Sequence, residues 1–235
     1  MAEPTLPDRV DGSPQLHRRQ SLVRHISNAL GQVEIHGLAS VPDRGPVLLA
    51  MNHRSLLDGP LLFGAVHRPV SCLVKVEAFT PRMGPLLRSS GQIPVRRDVV
   101  DAAAVRLCLR ILGAGGVVGI FPEGTRGHGL VETAKPGVGY LGLRTGAAIV
   151  PVACSGTSQM AHRRSWARPP AVLLFGEAIA VDRWPQRRVL KRSVAAAATE
   201  QIRVALAALV TVADDLRAGR GRGRPTTTTT ERARD

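Results

Sequence analysis

The chain predicts an α/β fold, a mixed, largely parallel sheet flanked by helices, and two observations carry that reading. Short apolar runs of strand length, at residues 47–51, 70–74, 117–121, 149–154 and 172–175, alternate with stretches of helical apolar spacing. That order builds parallel strands joined by crossover helices. Two of the runs also end directly in polar clusters, and strand carboxyl ends are where such folds hold reactive groups. No internal repeat is visible.

Taken in order, residues 1–14 are polar and punctuated by Pro4, Pro7 and Pro14, which predicts a flexible leader. Residues 15–32 place Leu22, Val23, Ile26, Ala29 and Leu30 at helical spacing beside Arg18, Arg19 and Arg24. Two readings of this basic amphipathic helix stand: it lies on anionic lipid, or it packs on the core with a solvated basic face. The main domain is expected over 33–216. Within it, 33–36 adds an edge strand, 47–51 the first buried strand and 59–66 a helix whose first turn holds Pro60. The strand 70–74 is followed by Lys75, and 78–90, with Pro81, Gly84 and Pro85 among apolar residues, predicts a short helical flap.

A short strand ends at Arg96 and Arg97, after which Asp98 is expected to cap a helix over 99–112. Its buried stripe would be Val100, Ala104, Leu107 and Ile111. Glycines at 113, 115 and 116 stop it, and the strand 117–121 delivers Glu123 to Arg126. Lys135-Pro136-Gly137 opens a helix over 138–144, a natural seat for phosphate. Strands at 149–154 and 172–175 enclose a basic irregular stretch, residues 156–170, read as a loop at a membrane or simply solvated. An Ala-rich helix spans 190–212, and 217–235, with alternating Gly and Arg and then five threonines, is a tail disordered by composition.

The 235 residues carry a net charge of +14, almost wholly on arginine, since only Lys75, Lys135 and Lys191 are lysines. Such a surface attracts anions. Aromatic residues make up only 3% of the chain, too few stacking platforms for single-strand nucleic acid, so no nucleic acid is expected and an anionic membrane surface is the better partner. Cys72, Cys108 and Cys154 lie mostly inside apolar runs and read as reduced core thiols of a cytoplasmic protein. No run approaches the roughly 18 consecutive apolar residues of a membrane span, and the first residues are too polar and Pro-rich for a secretory signal. The expectation is a cytoplasmic protein, peripheral on the inner face of the cell membrane.

The stretch Asn52-His53-Arg54-Ser55-Leu56-Leu57-Asp58 follows the first buried run. His53 and Asp58 can form a dyad in which the carboxylate fixes the imidazole tautomer and stabilises the imidazolium. They can equally be a strand-end His and a helix-capping Asp. Phe121-Pro122-Glu123-Gly124-Thr125-Arg126 ends a second strand, so the two stretches together suggest one site. Gly-x-Ser-x-Gly is absent, so a substrate would bring its own hydroxyl. A metal reading falls short of the three protein ligands that catalytic zinc usually has, and no metal is expected.

These two stretches, with Gly91 to Arg97 between them and Val150-Pro151-Val152 after them, resemble the four ordered motifs of the glycerolipid acyltransferases, above all the 1-acylglycerol-3-phosphate acyltransferases. The resemblance covers residues 33–176, and the second motif departs at Pro94 and Arg96. It implies the fold of that family and transfer of a fatty acyl group from acyl-CoA or acyl carrier protein, a co-substrate and not a cofactor, to the free hydroxyl of 1-acyl-glycerol-3-phosphate, giving phosphatidate. The alternatives are a related acyltransferase with another glycerolipid or glycolipid acceptor, or a non-catalytic membrane-surface binder. The resemblance implies catalysis by His53 and Asp58 and acceptor binding by Arg126 and Arg97. Lys75, Glu123, Gly124 and Thr125 complete the expected binding set, with Glu123 orienting Arg126 or its own loop. A planar guanidinium suits this task because it can hold two phosphate oxygens at once.

Overall fold

The computed structural model describes residues 33–160, 170–185 and 188–219. The expected leader and basic helix (1–32), most of the basic stretch after residue 156 and the tail beyond 219 lie outside the described residues. Seven strands are described: β1 (Val33–His36), β2 (Val47–Met51), β3 (Val70–Lys75), β4 (Ile93–Val95), β5 (Val117–Ile120), β6 (Ala148–Ser155) and β7 (Ala171–Phe175). They form one sheet in the order β1, β7, β6, β2, β5, β3, β4. Every neighbouring pair is parallel except β6 and β7. The sheet is therefore mixed and largely parallel, as the alternation predicted.

β2 sits at the centre, and all five of its residues are buried. Val47, Leu49 and Met51 pack to one face with Leu62 and Phe63 of α1 (Asp58–Ala65). Leu48 and Ala50 pack to the other, with Leu107, Cys108 and Ile111 of α3 (Ala102–Gly113) and Val138 and Leu141 of α4 (Gly137–Thr145). Covering both faces is why a parallel strand reads as an unbroken apolar run. Each large side chain so buried contributes roughly 1.5–3 kcal/mol of transfer free energy. The flap between β3 and β4 contains α2 (Gly84–Ser89), with Met83 and Leu86 about half exposed. A short turn of helix, α5 (Thr157–Met160), follows β6.

Three local expectations are corrected. Asp101, not Asp98, caps α3: its carboxylate accepts the amides of Ala103 and Ala104, each at 3.1 Å, and that of Arg96 at 3.0 Å. The helix thus starts at Ala102, and Val100 is 88% exposed rather than in the buried stripe. Arg96, the departure in the second motif, turns its guanidinium to the same carboxylate at 3.5 Å, which explains an Arg there as a partner of the cap. The last helix, α6 (Arg192–Arg217), also runs further than 190–212 and includes Arg217, whose Nε donates to the Pro170 carbonyl at 3.2 Å. By length and composition it is also a helix that could cross a membrane. Its apolar character is spread over many alanines and valines instead of an unbroken run. Here Ala195, Ala198, Ile202, Leu206, Val210 and Ala213, spaced three and four apart, bury one stripe of it in the fold.

Candidate active site

β2 delivers the first half of the site. His53 is 8% exposed and Asp58 is fully buried, and the imidazole Nδ1 lies 2.9 Å from Asp58 Oδ2. The same oxygen accepts the backbone amides of Arg54 and Ser55, each at 2.7 Å. The other oxygen faces the Cys154 thiol, which donates at 3.5 Å, and Thr157 adds a further side-chain hydrogen bond. Burial alone would raise the Asp58 pKa, but His53, Thr157 and the amides of Ser55 and Arg54 outweigh it and hold the carboxyl below its usual value. Burial and the neighbouring Asp58 charge push the Cys154 thiol far up, so it stays a donor. Asp58 stands at the start of α1, where the helix dipole also favours negative charge.

The imidazole is held from other sides too. Phe121 stacks on it with ring centroids 4.2 Å apart and 28° between planes. Glu123 Oε1 accepts the His53 amide at 3.0 Å, and the Gly127 amide donates to the His53 carbonyl at 3.1 Å. Glu123 thus joins the loop after β5 to the end of β2. Desolvation raises its pKa, against the partial relief of the His53 amide. Asn52 ties the strand end to β6: its Oδ1 accepts the Cys154 amide at 2.7 Å, and its Nδ2 donates to the carbonyls of Cys154 and Gly129, both at 3.1 Å.

The basic residues stand at the same carboxyl ends of the parallel strands as this pair. Arg126 is exposed in the loop after β5, one residue before the Gly127 amide that meets His53. Lys75 ends β3, exposed, opposite Val95 of β4, and the partly exposed Arg97 follows two residues on. Thr125 is exposed and Gly124 partly so. Gly124 takes φ +72°, and a Cβ there would lie 2.6 Å from Cε of Lys135. Lys135 in turn donates from Nζ to the Arg97 carbonyl at 3.4 Å. The loops after β4 and β5 therefore meet through Lys135, which opens the stretch that the sequence marks as a seat for phosphate. β5 lies between the strands of Lys75 and His53.

With Nδ1 turned to a buried carboxylate, Nε2 is the ring nitrogen free to exchange a proton, the arrangement of a general base. Sequence reasoning placed Asn52 and Phe121 in its two stretches without giving either a role, and it missed Cys154 and Thr157 as parts of this assembly. Only the apolar run around Cys154 hinted that it was buried. Among the described residues no three His, Cys, Asp or Glu side chains converge as metal ligands would.

A largely parallel α/β sheet with a buried His–Asp pair and basic loops at its strand carboxyl ends defines the class. The chain belongs to the acyltransferase family, whose model, described as Acyltransferase, matches residues 32–155. It is 29% identical over 136 residues to a chloroplastic 1-acyl-sn-glycerol-3-phosphate acyltransferase of Arabidopsis thaliana, covering 55% of this chain and 37% of that protein. It is also 29% identical over 131 residues to a 1-acyl-sn-glycerol-3-phosphate acyltransferase of Borreliella burgdorferi, covering 54% and 52%. The matches thus span only about two fifths to one half of those relatives' own length. The crystal structure of the 1-acyl-sn-glycerophosphate acyltransferase of Thermotoga maritima shares the fold, with a TM-score of 0.58 and 22% identity over 83% of this chain and 79% of that one.

Proposed function

We propose that this protein transfers a fatty acyl group from an acyl thioester, acyl-CoA or acyl carrier protein, to the free hydroxyl of 1-acyl-glycerol-3-phosphate, giving phosphatidate. One observation carries the reading: the 2.9 Å contact of His53 Nδ1 with a fully buried Asp58 carboxylate, beside loops bearing Arg126 and Arg97. In the proposed reaction the acceptor phosphate is held by Arg126, Arg97 and Lys135, whose fixed charges bring the hydroxyl to His53. Lys75, at the end of β3, is the outer member of this basic group, and Gly124 and Thr125 shape the loop that carries Arg126. The imidazole Nε2 takes the hydroxyl proton as the alcohol oxygen attacks the thioester carbonyl carbon. Asp58 stabilises the imidazolium so formed, worth about 10²- to 10⁴-fold with general-base action. The tetrahedral intermediate then expels the thiolate, and the imidazolium returns the proton to sulfur. The residues identified need no metal for these steps.

The names of the two relatives support this acceptor, and so does the net charge of +14. The lipid substrates and the charge together support attachment to the anionic inner face of the cell membrane. The test is a panel assay of the purified full-length protein with lysophosphatidate, an uncharged lysolipid and a sugar alcohol, each with acyl-CoA and acyl carrier protein donors. Transfer to lysophosphatidate that disappears in a folded His53→Ala protein is the expected result. Preference for an acceptor without a terminal phosphate would move the assignment to a related glycerolipid or glycolipid acyltransferase.

A further inference from the structure

Arg54 lies between His53 and Ser55, and its own amide is one of the donors to Asp58. Its guanidinium points away, to the last turns of α6, where Nη1 and Nη2 donate to the two oxygens of Asp214 at 2.9 and 2.8 Å. Ser155, at the end of β6, donates to the same carboxylate at 2.5 Å. Desolvation would raise the Asp214 pKa, but Arg54, Ser155 and the nearby Arg217 charge together lower it, so the carboxylate is ionised at neutral pH. The Arg54 side chain is only 15% exposed. Its Nε is buried with no hydrogen-bond partner among the described residues. The side chain passes Gly129, where a Cβ would fall 2.7 Å from that Nε, and Gly129 has φ +68°.

This guanidinium therefore has one anchor, and a two-point one. Removing its partner would strand a largely buried cation, which is costly enough that the side chain would swing toward solvent. It would carry with it the Arg54 backbone, and with that the amide aimed at Asp58. Asn52 holds the segment on the other flank of His53 through β6. Asp214 lies beyond the 32–155 match to the family, on the last helix of the fold.

We propose that Asp214 is a positioning residue for the His53–Asp58 pair: through the Arg54 fork, the carboxyl-terminal helix α6 clamps the loop that sets the imidazole relative to the bound acceptor. The proposal rests on the acyl-transfer reading for its kinetic consequence, not for its structural one. Two measurements on the full-length protein separate them. In Asp214→Ala, hydrogen exchange of the Arg54 and Ser55 amides should quicken by at least about tenfold while the β5 amides Val117–Ile120 keep their protection. With lysophosphatidate as acceptor, kcat should fall by about tenfold or more, the scale of a small misplacement of a catalytic group, with KM changed by less than about twofold. Arg54→Ala should give the same losses, and the double variant should be no worse than either single one. Asp214→Asn, which keeps the shape without the charge, should fall between and guards against a variant that fails to fold. Unchanged exchange at Arg54 and Ser55 overturns the clamp. Faster exchange with unaltered kcat, or losses that multiply in the double variant, overturn the positioning role. Wild-type protein inactive on every acceptor overturns the acyl-transfer reading and leaves the exchange result to decide the clamp.

Discussion

Asp58→Asn keeps the size of the side chain but replaces one acceptor oxygen by an NH2 group among His53, Arg54, Ser55, Cys154 and Thr157, all of which donate to it. On the proposed mechanism, kcat should drop by about 10²- to 10⁴-fold, with KM little changed, because the carboxylate acts on the imidazolium that exists only during reaction. Steady-state kinetics on folded protein decides, and near-normal kcat would falsify the dyad. The depressed Asp58 pKa also sets a pH dependence. A carboxyl held lower in the folded state than in the unfolded chain contributes stability that is present above its unfolded pKa, and that is lost as pH falls through the folded one. The stability difference between wild type and Asp58→Asn, read from denaturant unfolding at a series of pH values, should therefore be full near neutral pH and shrink as pH falls below the ordinary carboxylate range. Arg126→Ala should cost about 1.5–3 kcal/mol of transition-state binding with lysophosphatidate, mainly through KM, and much less with an uncharged acceptor. Equal impairment of every acceptor would remove Arg126 from phosphate recognition. At this scale the pair His53 and Asp58 was legible because five residues bring a strand end onto the next helix. The stacking role of Phe121 and the donor role of Cys154 were not, since a ring 68 residues away and a thiol 96 residues away leave no local pattern.

The ends of α3 are the sharpest case at the level of elements. An Asp stands both at 98 and at 101, and either can accept amides from a first helical turn. Asp101 prevails because its second oxygen also takes the Arg96 amide and so fixes the exit from β4. Asp101→Ala should destabilise the fold by about 1–2 kcal/mol, at the upper part of the range for a lost cap, while Asp98→Ala should be close to neutral. Denaturant unfolding of the two variants separates them, and equal losses would restore Asp98 as the cap. The apolar spacing of α3 was readable, but Val99 and Val100 misled because two exposed valines look like the start of a stripe.

Across the whole molecule, the parallel order collects the loops after β2, β3, β4 and β5 at one edge of the sheet. That edge carries Lys75, Arg96, Arg97, Arg126 and Lys135, with the exposed apolar residues Leu56, Val76 and Leu130 among them. Charge and apolar tips together suit a lipid surface. Binding to anionic vesicles should weaken with added salt, and removing residues 1–32 should weaken it further if that basic stretch contributes. Equal sedimentation of truncated and full-length protein would assign the attachment to the domain's own edge, and salt-insensitive binding would remove the electrostatic account.

The alternation of apolar runs and helical stretches determined the α/β class, the buried strands and the two loops that meet at the site, because these depend on periods of two and 3.6 residues and on neighbours in the chain. Only the tertiary structure decided that Asn52 anchors to β6, that Glu123 serves the His53 backbone, and that Asp214, 160 residues beyond Arg54, closes the loop between them. Those contacts arise from which strands lie side by side. That is a choice made by the packing of the whole sheet, in which β2 takes its place between β5 and β6, and no local run of residues encodes it.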